Sequence, residues 1–466
     1  MKNTNLYLLI RCILLSFAAL SGTQSAHAVP SFARQTGLEC TSCHVSWPEL
    51  TTVGRKFKLN GYTLMKTFSG NRPLVSLSKD GPPPQIPLAA FVQMSVTHTQ
   101  NTSGADPSNF PRNDGLALQQ TSLFYAGRIT DHFGAFVQLT DDGIAHHSGI
   151  DNTDLRYANR LTTQDIDLIY GLTVNNNPTV SDIYNTTPTW GYPFASSSVA
   201  VAPNAITLID GGLAQQVVGL GGYLMFNKTV HAEVAAYRTA NRALSVFRAG
   251  VDPSTAAALD GYAPYWRLGL QHEWDEGQHS IMVGTFGLRA KKFPAPDSED
   301  PSGPSDKFRD RGIDGQYQYV TDRHRVGIQL NWVKETQNLD ATFPAGGSSN
   351  PSVTLKTFKA RLGYYYDTKY GINLGYFSTH GDRDDGLYNL TDPNTGEPVA
   401  VIGSVNGSPN TNGYIIEFNW LPERDRRFML QYTGYHKFNG ARTNYDGLGR
   451  NASDNNTLYL LAWFLF

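Results

Sequence analysis

The sequence predicts an all-β fold: an antiparallel β-barrel of the outer-membrane type with about 16 strands, preceded by a small α-helical N-terminal unit. Three observations predict it. Apolar and polar residues alternate with a period of two, short and long connectors alternate between those segments, and the chain ends on an apolar, aromatic strand. The composition agrees, since Gly (44) and Tyr (24) are plentiful and charged residues make up only 17%.

Residues 1–28 are predicted to be a secretory signal peptide. Early positive charge precedes an apolar run over 12–20, and an A-x-A cleavage site ends at Ala28. The mature chain then begins near Val29. A retained membrane anchor is the less favoured alternative, because the apolar run is short for a spanning helix.

Residues 29–85 are predicted to form a compact unit followed by a linker. The pattern over 46–65 favours a largely helical segment, with Pro48 tolerated in its first turn. The proline-rich run 81–87 is typical of a stiff linker. A domain boundary near residue 85 follows, with the barrel over 86–466.

The barrel prediction depends on the order of strands and connectors. Strands are expected near 88–99, 116–129, 132–140, 154–160, 165–175, 218–226, 229–238, 263–274, 279–290, 314–321, 324–336, 354–366, 371–380, 413–421, 427–437 and 456–466. Short turns then alternate with long loops, as periplasmic turns and outer loops do in transmembrane barrels. The segment 205–213 is a candidate for one more strand.

Alternation within the strands has a physical reason in a membrane barrel. Val326, Ile328 and Leu330 alternate with the smaller or polar residues between them. A second segment, 414–420, shows the same alternation and ends in Trp420. One face of each strand meets lipid and the other faces the lumen, while closure satisfies every backbone hydrogen bond. Apolar and polar residues also alternate in a soluble β-sandwich. The alternation of short and long connectors is therefore what distinguishes a membrane barrel from a sandwich.

The location that follows is the bacterial outer membrane, with lipid around the barrel. No later segment is long and apolar enough for a transmembrane helix. The net charge of −2 gives no reason to expect a nucleic-acid partner.

The residues Cys40-Thr41-Ser42-Cys43-His44 form a C-x-x-C-H motif. This spacing attaches haem c covalently through two thioethers and places the adjacent His as the proximal iron ligand. The alternatives are a thioredoxin-like redox pair or a chance pair of cysteines, but no βαβ pattern surrounds the motif. The sequence therefore predicts one haem c, bound by Cys40 and Cys43, with iron ligated by His44.

The second axial ligand is less constrained. His44 and Met65 are the only His and Met of the mature N-terminal unit. Imidazole and thioether are common partners of a His-ligated haem c, which makes Met65 the first candidate. The alternatives are a core role for Met65, a luminal barrel histidine such as His98 or His436, or a position open to water.

Two polar loops are weaker candidates for transient metal binding. Residues 141–147 and 380–385 both combine carboxylates with imidazole. A solvated polar loop is the favoured reading of each.

The N-terminal unit resembles a known family. Pro30-Ser31-Phe32-Ala33-Arg34-Gln35-Thr36-Gly37 leads into the haem motif, and Gly54-Arg55-Lys56-Phe57-Lys58-Leu59-Asn60-Gly61-Tyr62 follows it. This run, over residues 30–65, is similar to the fused outer-membrane monohaem cytochrome–porins, which include the iron-oxidising outer-membrane cytochromes. The resemblance implies a haem c plug inside the barrel, an extracellular electron donor such as Fe(II), and a periplasmic c-type cytochrome as acceptor.

Three functions remain open at this point. The first is electron transfer across the outer membrane, with the protein acting as an Fe(II) oxidase. The second is a diffusion porin whose haem unit is a sensor or gate. The third is a structural role in which the cytochrome docks another carrier.

Overall fold

The structure is a computed structural model that describes residues 30–63, 87–103, 110, 112–299, 301–390 and 399–466. The predicted signal peptide, Met65 and the predicted linker lie outside the described residues. So does the predicted domain boundary near residue 85.

Sixteen antiparallel strands close into one barrel, which confirms the predicted fold class. Two short strands of the N-terminal unit precede them, so the barrel strands are β3 to β18. They are Leu88–Thr99, Leu116–Arg128, Phe133–Asp142, His147–Thr162, Asp167–Asn175, Val217–Phe226, Val230–Thr239, Ala263–Trp274, His279–Lys292, Asp306–Val320, His324–Asn338, Ser352–Tyr366, Tyr370–Gly381, Thr411–Trp420, Arg426–Lys437 and Thr457–Leu465.

Each barrel strand pairs with its sequence neighbour, and β18 pairs with β3 to close the ring. The connectors at one end are short turns, whereas most of those at the other end are long loops, as predicted. Several strands run further than the alternation indicated. The strand predicted over 154–160, for example, spans His147–Thr162.

The two faces of the barrel differ in chemistry. Outward positions carry exposed apolar side chains such as Leu270, Val283 and Leu330, while inward positions carry buried polar ones such as Gln316 and Gln329. Exposed aromatic rings gather next to the short turns, among them Tyr366, Tyr370 and Trp420. An apolar belt edged by aromatic residues is the surface that a lipid bilayer selects. Every helix in the described part of the chain falls short of the length and apolarity needed to cross a membrane.

The N-terminal unit lies inside the barrel at its short-turn end, and we call residues 30–63 the plug. It contains α1 (Pro30–Thr36), α2 (Cys40–Cys43), the hairpin β1 (His44–Ser46) with β2 (Glu49–Leu50), and α3 (Thr52–Leu59). The single helix predicted over 46–65 is therefore wrong in its first turns. Residues 44–50 form the hairpin, and the helix starts where the Thr51 hydroxyl accepts a hydrogen bond from the Gly54 N–H.

Buried polar contacts hold the plug against the barrel wall. Arg361 forms an ion pair with Glu49 at 2.5 Å, and both side chains are fully buried. Arg427 donates to the Trp47 carbonyl at 2.9 Å, and the Tyr62 hydroxyl donates to Asp154 at 2.7 Å. Contacts with several strands thus hold the plug in a defined position.

The connector between β7 and β8 folds back into the lumen, and we call residues 176–216 the roof segment. Residues 176–187 are all buried. The predicted extra strand over 205–213 is wrong, because Leu208–Gly212 forms a π-helical turn. Asn185 accepts a hydrogen bond from the Leu50 N–H at 3.0 Å, so the roof segment contacts the plug directly.

Candidate functional site

The three residues of the haem motif meet at one cavity inside the barrel. Cys40, Cys43 and His44 all line it, and its volume is about 450 Å³. Small-molecule and cofactor sites commonly occupy ~300–1,000 Å³. The plug bounds the cavity on one side, the roof segment on another, and the inner barrel wall completes it.

His44 has its imidazole orientation set by the plug. Its Nδ1 lies 3.2 Å from the Pro48 carbonyl oxygen, and since a carbonyl only accepts, Nδ1 carries the proton. The lone pair is then on Nε2. Burial lowers the pKa of His44 to about 4, so the ring is neutral at neutral pH. A hydrogen bond to the other ring nitrogen orients metal-ligating histidines in this way, and His44 therefore fits an iron ligand.

The two cysteines differ from a reactive dithiol. Neither forms a disulfide, and Cys40 is buried. Burial raises the pKa of Cys43 to about 11, and the neighbouring Cys40 adds to the effect. Redox-active cysteines lie in sites that lower the thiol pKa. The environment of Cys43 thus lacks the lowered thiol pKa that is typical of a redox-active pair.

The loop that carries the motif is tied to α3 and to the barrel. The Thr51 N–H donates to the Cys43 carbonyl at 2.9 Å, and the Thr51 hydroxyl donates to the Ser42 carbonyl at 2.6 Å. From the wall, Arg325 donates to the carbonyls of Thr41 and His44, both at 2.7 Å. The backbone on either side of Cys43 is therefore held in place.

Thr51→Val is expected to loosen the first turn of α3. The variant keeps the side-chain shape but removes the hydroxyl, and losing a helix cap costs about 1 kcal/mol. Amide hydrogen exchange at Gly54 should speed up several-fold. Exchange in the barrel strands should not change, and equal protection at Gly54 in both proteins would contradict this role.

One wall of the cavity is a continuous chain of aromatic rings. Successive ring centroids lie 5.8, 5.3, 5.3, 5.6 and 6.2 Å apart along Trp47, Trp463, Phe91, Phe124, Phe136 and Trp190. All six rings line the cavity. This wall suits a flat, apolar macrocycle, because aromatic faces pack closely on one another.

The cavity also has polar lining. Side chains with amide, hydroxyl, ammonium or carboxylate groups contribute, among them Lys58, Gln93, Gln138, Asp151 and Thr189. A porphyrin with an apolar body and two carboxylate arms needs both kinds of surface. The lining therefore fits a haem in chemistry as well as in size.

The second axial ligand has no candidate from the predicted barrel histidines. His98 and His436 both lie on the outward face of the barrel, where His98 is beside Asp114 and His436 beside the Tyr414 ring. Both are wrong as luminal ligands, because the period-two alternation turns their side chains away from the lumen. Among the described residues that line the cavity, His44 is the only histidine and none is methionine. Met65 stays a prediction.

The carboxylates of the two polar loops accept backbone hydrogen bonds, either within the loop or from a neighbouring one. Asp142 accepts hydrogen bonds from the N–H groups of Ile144 and Ala145. Asp384 accepts from those of Ser349 and Asn350. Within the described ranges, no three His, Cys, Asp or Glu side chains form a group suited to a metal ion.

The roof segment and the aromatic wall were missed by the reasoning from sequence. A signal was present in the connector itself, since residues 176–216 carry only two charged side chains, Asp182 and Asp210, and include Trp190 and Phe194. Outer loops exposed to water are seldom so poor in charge. That composition indicates a buried loop.

Comparisons with protein-family models and with curated proteins found no match. Solved structures that are similar include the outer membrane channel DcaP of Acinetobacter baumannii, at 14% identity and a TM-score of 0.44 over 81% of this chain and 96% of that one. An anion-selective porin from Comamonas acidovorans is similar at 10% identity and a TM-score of 0.43, over 81% and 98%. The outer-membrane expressed OmpT of Vibrio cholerae is similar at 9% identity and a TM-score of 0.40, over 81% and 97%.

Proposed function

We propose that this protein transfers electrons across the bacterial outer membrane through one covalently bound haem c inside the barrel. The donor is extracellular Fe(II), and the acceptor is a periplasmic c-type cytochrome. The observation that carries the proposal is the meeting of Cys40, Cys43 and a tautomer-fixed His44 at one cavity inside the barrel. The likeness of residues 30–65 to the fused cytochrome–porins supports it.

The membrane location rests on the outer surface of the barrel. Large apolar side chains such as Leu268 and Ile313 point outward and are about half exposed, at 43% and 55%. Contiguous exposed apolar surface of this extent is unfavourable in water and favourable in lipid.

Each residue of the site has a definite task in this proposal. Cys40 and Cys43 anchor the porphyrin by thioether bonds, and His44 ligates iron through Nε2 while Pro48 holds its Nδ1–H. The haem supplies a one-electron Fe(II)/Fe(III) couple. Arg325 keeps the motif loop against the wall, and the roof segment separates the cavity from the long loops.

The packing of the lumen favours electron transfer over free diffusion. The plug lies in the short-turn end, and the roof segment crosses the lumen above it, joined to the wall by Gln431, which donates to the Ala195 carbonyl at 3.0 Å. A diffusion porin needs a continuous water-filled path. An electron needs only closely packed protein on either side of the cofactor.

Reconstitution into liposomes tests the proposal. The full-length protein is placed in vesicles that contain a soluble c-type cytochrome, and Fe(II) with a membrane-impermeant chelator is added outside. Reduction of the trapped cytochrome is expected, and it should be lost in Cys40→Ala/Cys43→Ala. No covalent haem in the wild type, or no reduction, would overturn the function. Efflux of a small trapped solute at porin-like rates would favour the diffusion porin instead.

The prediction for Met65 has its own spectroscopic test. A thioether–iron bond gives ferric haem c a charge-transfer band in the near-infrared. Met65→Ala should abolish that band if Met65 is the second axial ligand. An unchanged spectrum would rule Met65 out.

A further inference from the structure

Lys58 is a buried ammonium group at the cavity wall. It is only 6% exposed, and its Nζ donates to the carbonyls of Val180 and Asp182 in the roof segment, both at 2.7 Å. It also lies over the Trp190 ring, 5.1 Å from the centroid. Among the described residues no carboxylate lies within ion-pair distance of it.

Arg325, like Lys58, donates to backbone carbonyls, but four other buried cations in the lumen each have a carboxylate partner. These pairs are Arg156 with Asp154 at 2.7 Å, Arg267 with Asp314 at 2.7 Å, Arg361 with Glu49 at 2.5 Å, and Arg427 with Glu417 at 3.1 Å. Burying a cation without counter-charge is costly. Burial, followed by the nearby Arg156, lowers the pKa of Lys58 to about 7. Lys58 therefore lacks the carboxylate partner that these four arginines have.

The carboxylates nearest to Lys58 are committed elsewhere. The carboxylate groups of Asp154, Asp182 and Glu233 act on it electrostatically without forming an ion pair with it. Their direct partners are Arg156 for Asp154, Arg267 for Asp182 and the Ser181 hydroxyl for Glu233. The described side chains therefore offer Lys58 no ion-pair partner, and an anionic group on a ligand in the cavity would supply one.

The chemistry of the lining says what that ligand carries. Around Cys40 the packing is apolar and includes Trp47, Phe91 and Phe124. Lys58 lies where the plug meets the roof segment, and Thr189 of the roof segment is part of the polar lining. A ligand anchored at Cys40 and reaching Lys58 is apolar at one end and anionic at the other.

We propose that the Lys58 ammonium is the counter-charge for a propionate of the haem, pairing with that carboxylate inside the cavity. This inference rests on the proposed function, since it requires haem in the cavity. It adds Lys58 as a cofactor-binding residue beyond the C-x-x-C-H motif.

The test distinguishes the contribution of the haem carboxylates to binding from that of the ring and the iron. Full-length protein with Cys40→Ala/Cys43→Ala, which cannot form the thioether bonds, is titrated in detergent with haemin and with haemin dimethyl ester. The ester keeps the ring and iron but has no free carboxylate. Lys58→Met should weaken haemin binding by about tenfold to a hundredfold, the range for a charge-assisted hydrogen bond, and leave ester binding unchanged.

Two further variants complete the design. Lys58→Arg keeps the charge and should keep most of the preference for haemin. Lys56→Met is the matched control on the same helix, because Lys56 is 46% exposed and pairs with Glu273 outside the cavity. It should change neither affinity.

The outcomes are distinct. Equal haemin affinity with and without Lys58 overturns the inference and leaves the haem site standing. Weaker binding of both ligands, with a changed Soret band, means that Lys58 ligates iron, which also overturns it. If neither ligand binds and the wild type carries no covalent haem, the proposed function fails together with this inference.

Discussion

Glu49→Ala is expected to undock the plug from the barrel wall, at a cost of about 3–5 kcal/mol, the range for breaking a buried ion pair. Glu49 accepts hydrogen bonds from Arg361 at 2.5 Å and from Gln318 at 2.9 Å, and it is fully buried. Without it, the Arg361 guanidinium stays in the lumen with no carboxylate partner. The penalty comes mainly from that unpaired charge.

The loss should extend to the roof segment. Arg361 also lies over the Phe194 ring, 4.7 Å from its centroid, so it joins the plug to the roof. Limited proteolysis of the folded barrel should cleave within residues 30–63 much faster than in wild type. Hydrogen exchange should rise in the plug and roof but not in the barrel strands.

A second plug–barrel ion pair provides the control. Glu39 and Arg424 form a pair at the rim, where their side chains are 53% and 42% exposed. Exposed pairs contribute about 0–1 kcal/mol, so Glu39→Ala should leave the plug docked. The double variant Glu49→Met/Arg361→Met removes both charges and should recover much of the docking. Equal effects of Glu39→Ala and Glu49→Ala would refute the argument.

The barrel was open to prediction from sequence because its determinants are local. Alternation in segments such as 326–332 follows from each strand having one lipid face and one luminal face, and closure follows from the need to pair every backbone group. The haem motif was equally local. Spacing alone brings Cys40, Cys43 and His44 together.

The parts that were missed depend on contacts between distant residues. The hairpin 44–50 exists beside wall residues more than 250 positions away, such as Arg325 and Arg361, and no local pattern encodes that. Lys58 looks like an ordinary helix lysine in sequence. Its role appears only when the roof segment covers it with the carbonyls of Val180 and Asp182.

Gly54→Ala is expected to destabilise the plug, although the intrinsic preference of helices points the other way. Gly54 lies inside α3, where alanine is favoured over glycine by about 1 kcal/mol. A Cβ on Gly54 would lie 2.2 Å from the Cys43 carbonyl oxygen and 3.0 Å from the Leu50 side chain. The Cys43 carbonyl also accepts a hydrogen bond from the Thr51 N–H, which fixes its position. The added methyl group would therefore push α3 away from the backbone of Cys43.

The sign of the change makes this prediction decisive. Overpacking of this kind costs about 1–3 kcal/mol, which outweighs the helical gain. Thermal unfolding of the plug should shift to lower temperature, and protection of residues 40–44 from hydrogen exchange should fall. Val53→Ala is the matched control, since Val53 is 45% exposed on the same helix. If the Gly54→Ala protein were as stable as wild type, or more stable, α3 would not pack on the backbone of Cys43 as described. The position of His44, which follows Cys43, would then be wrong as well.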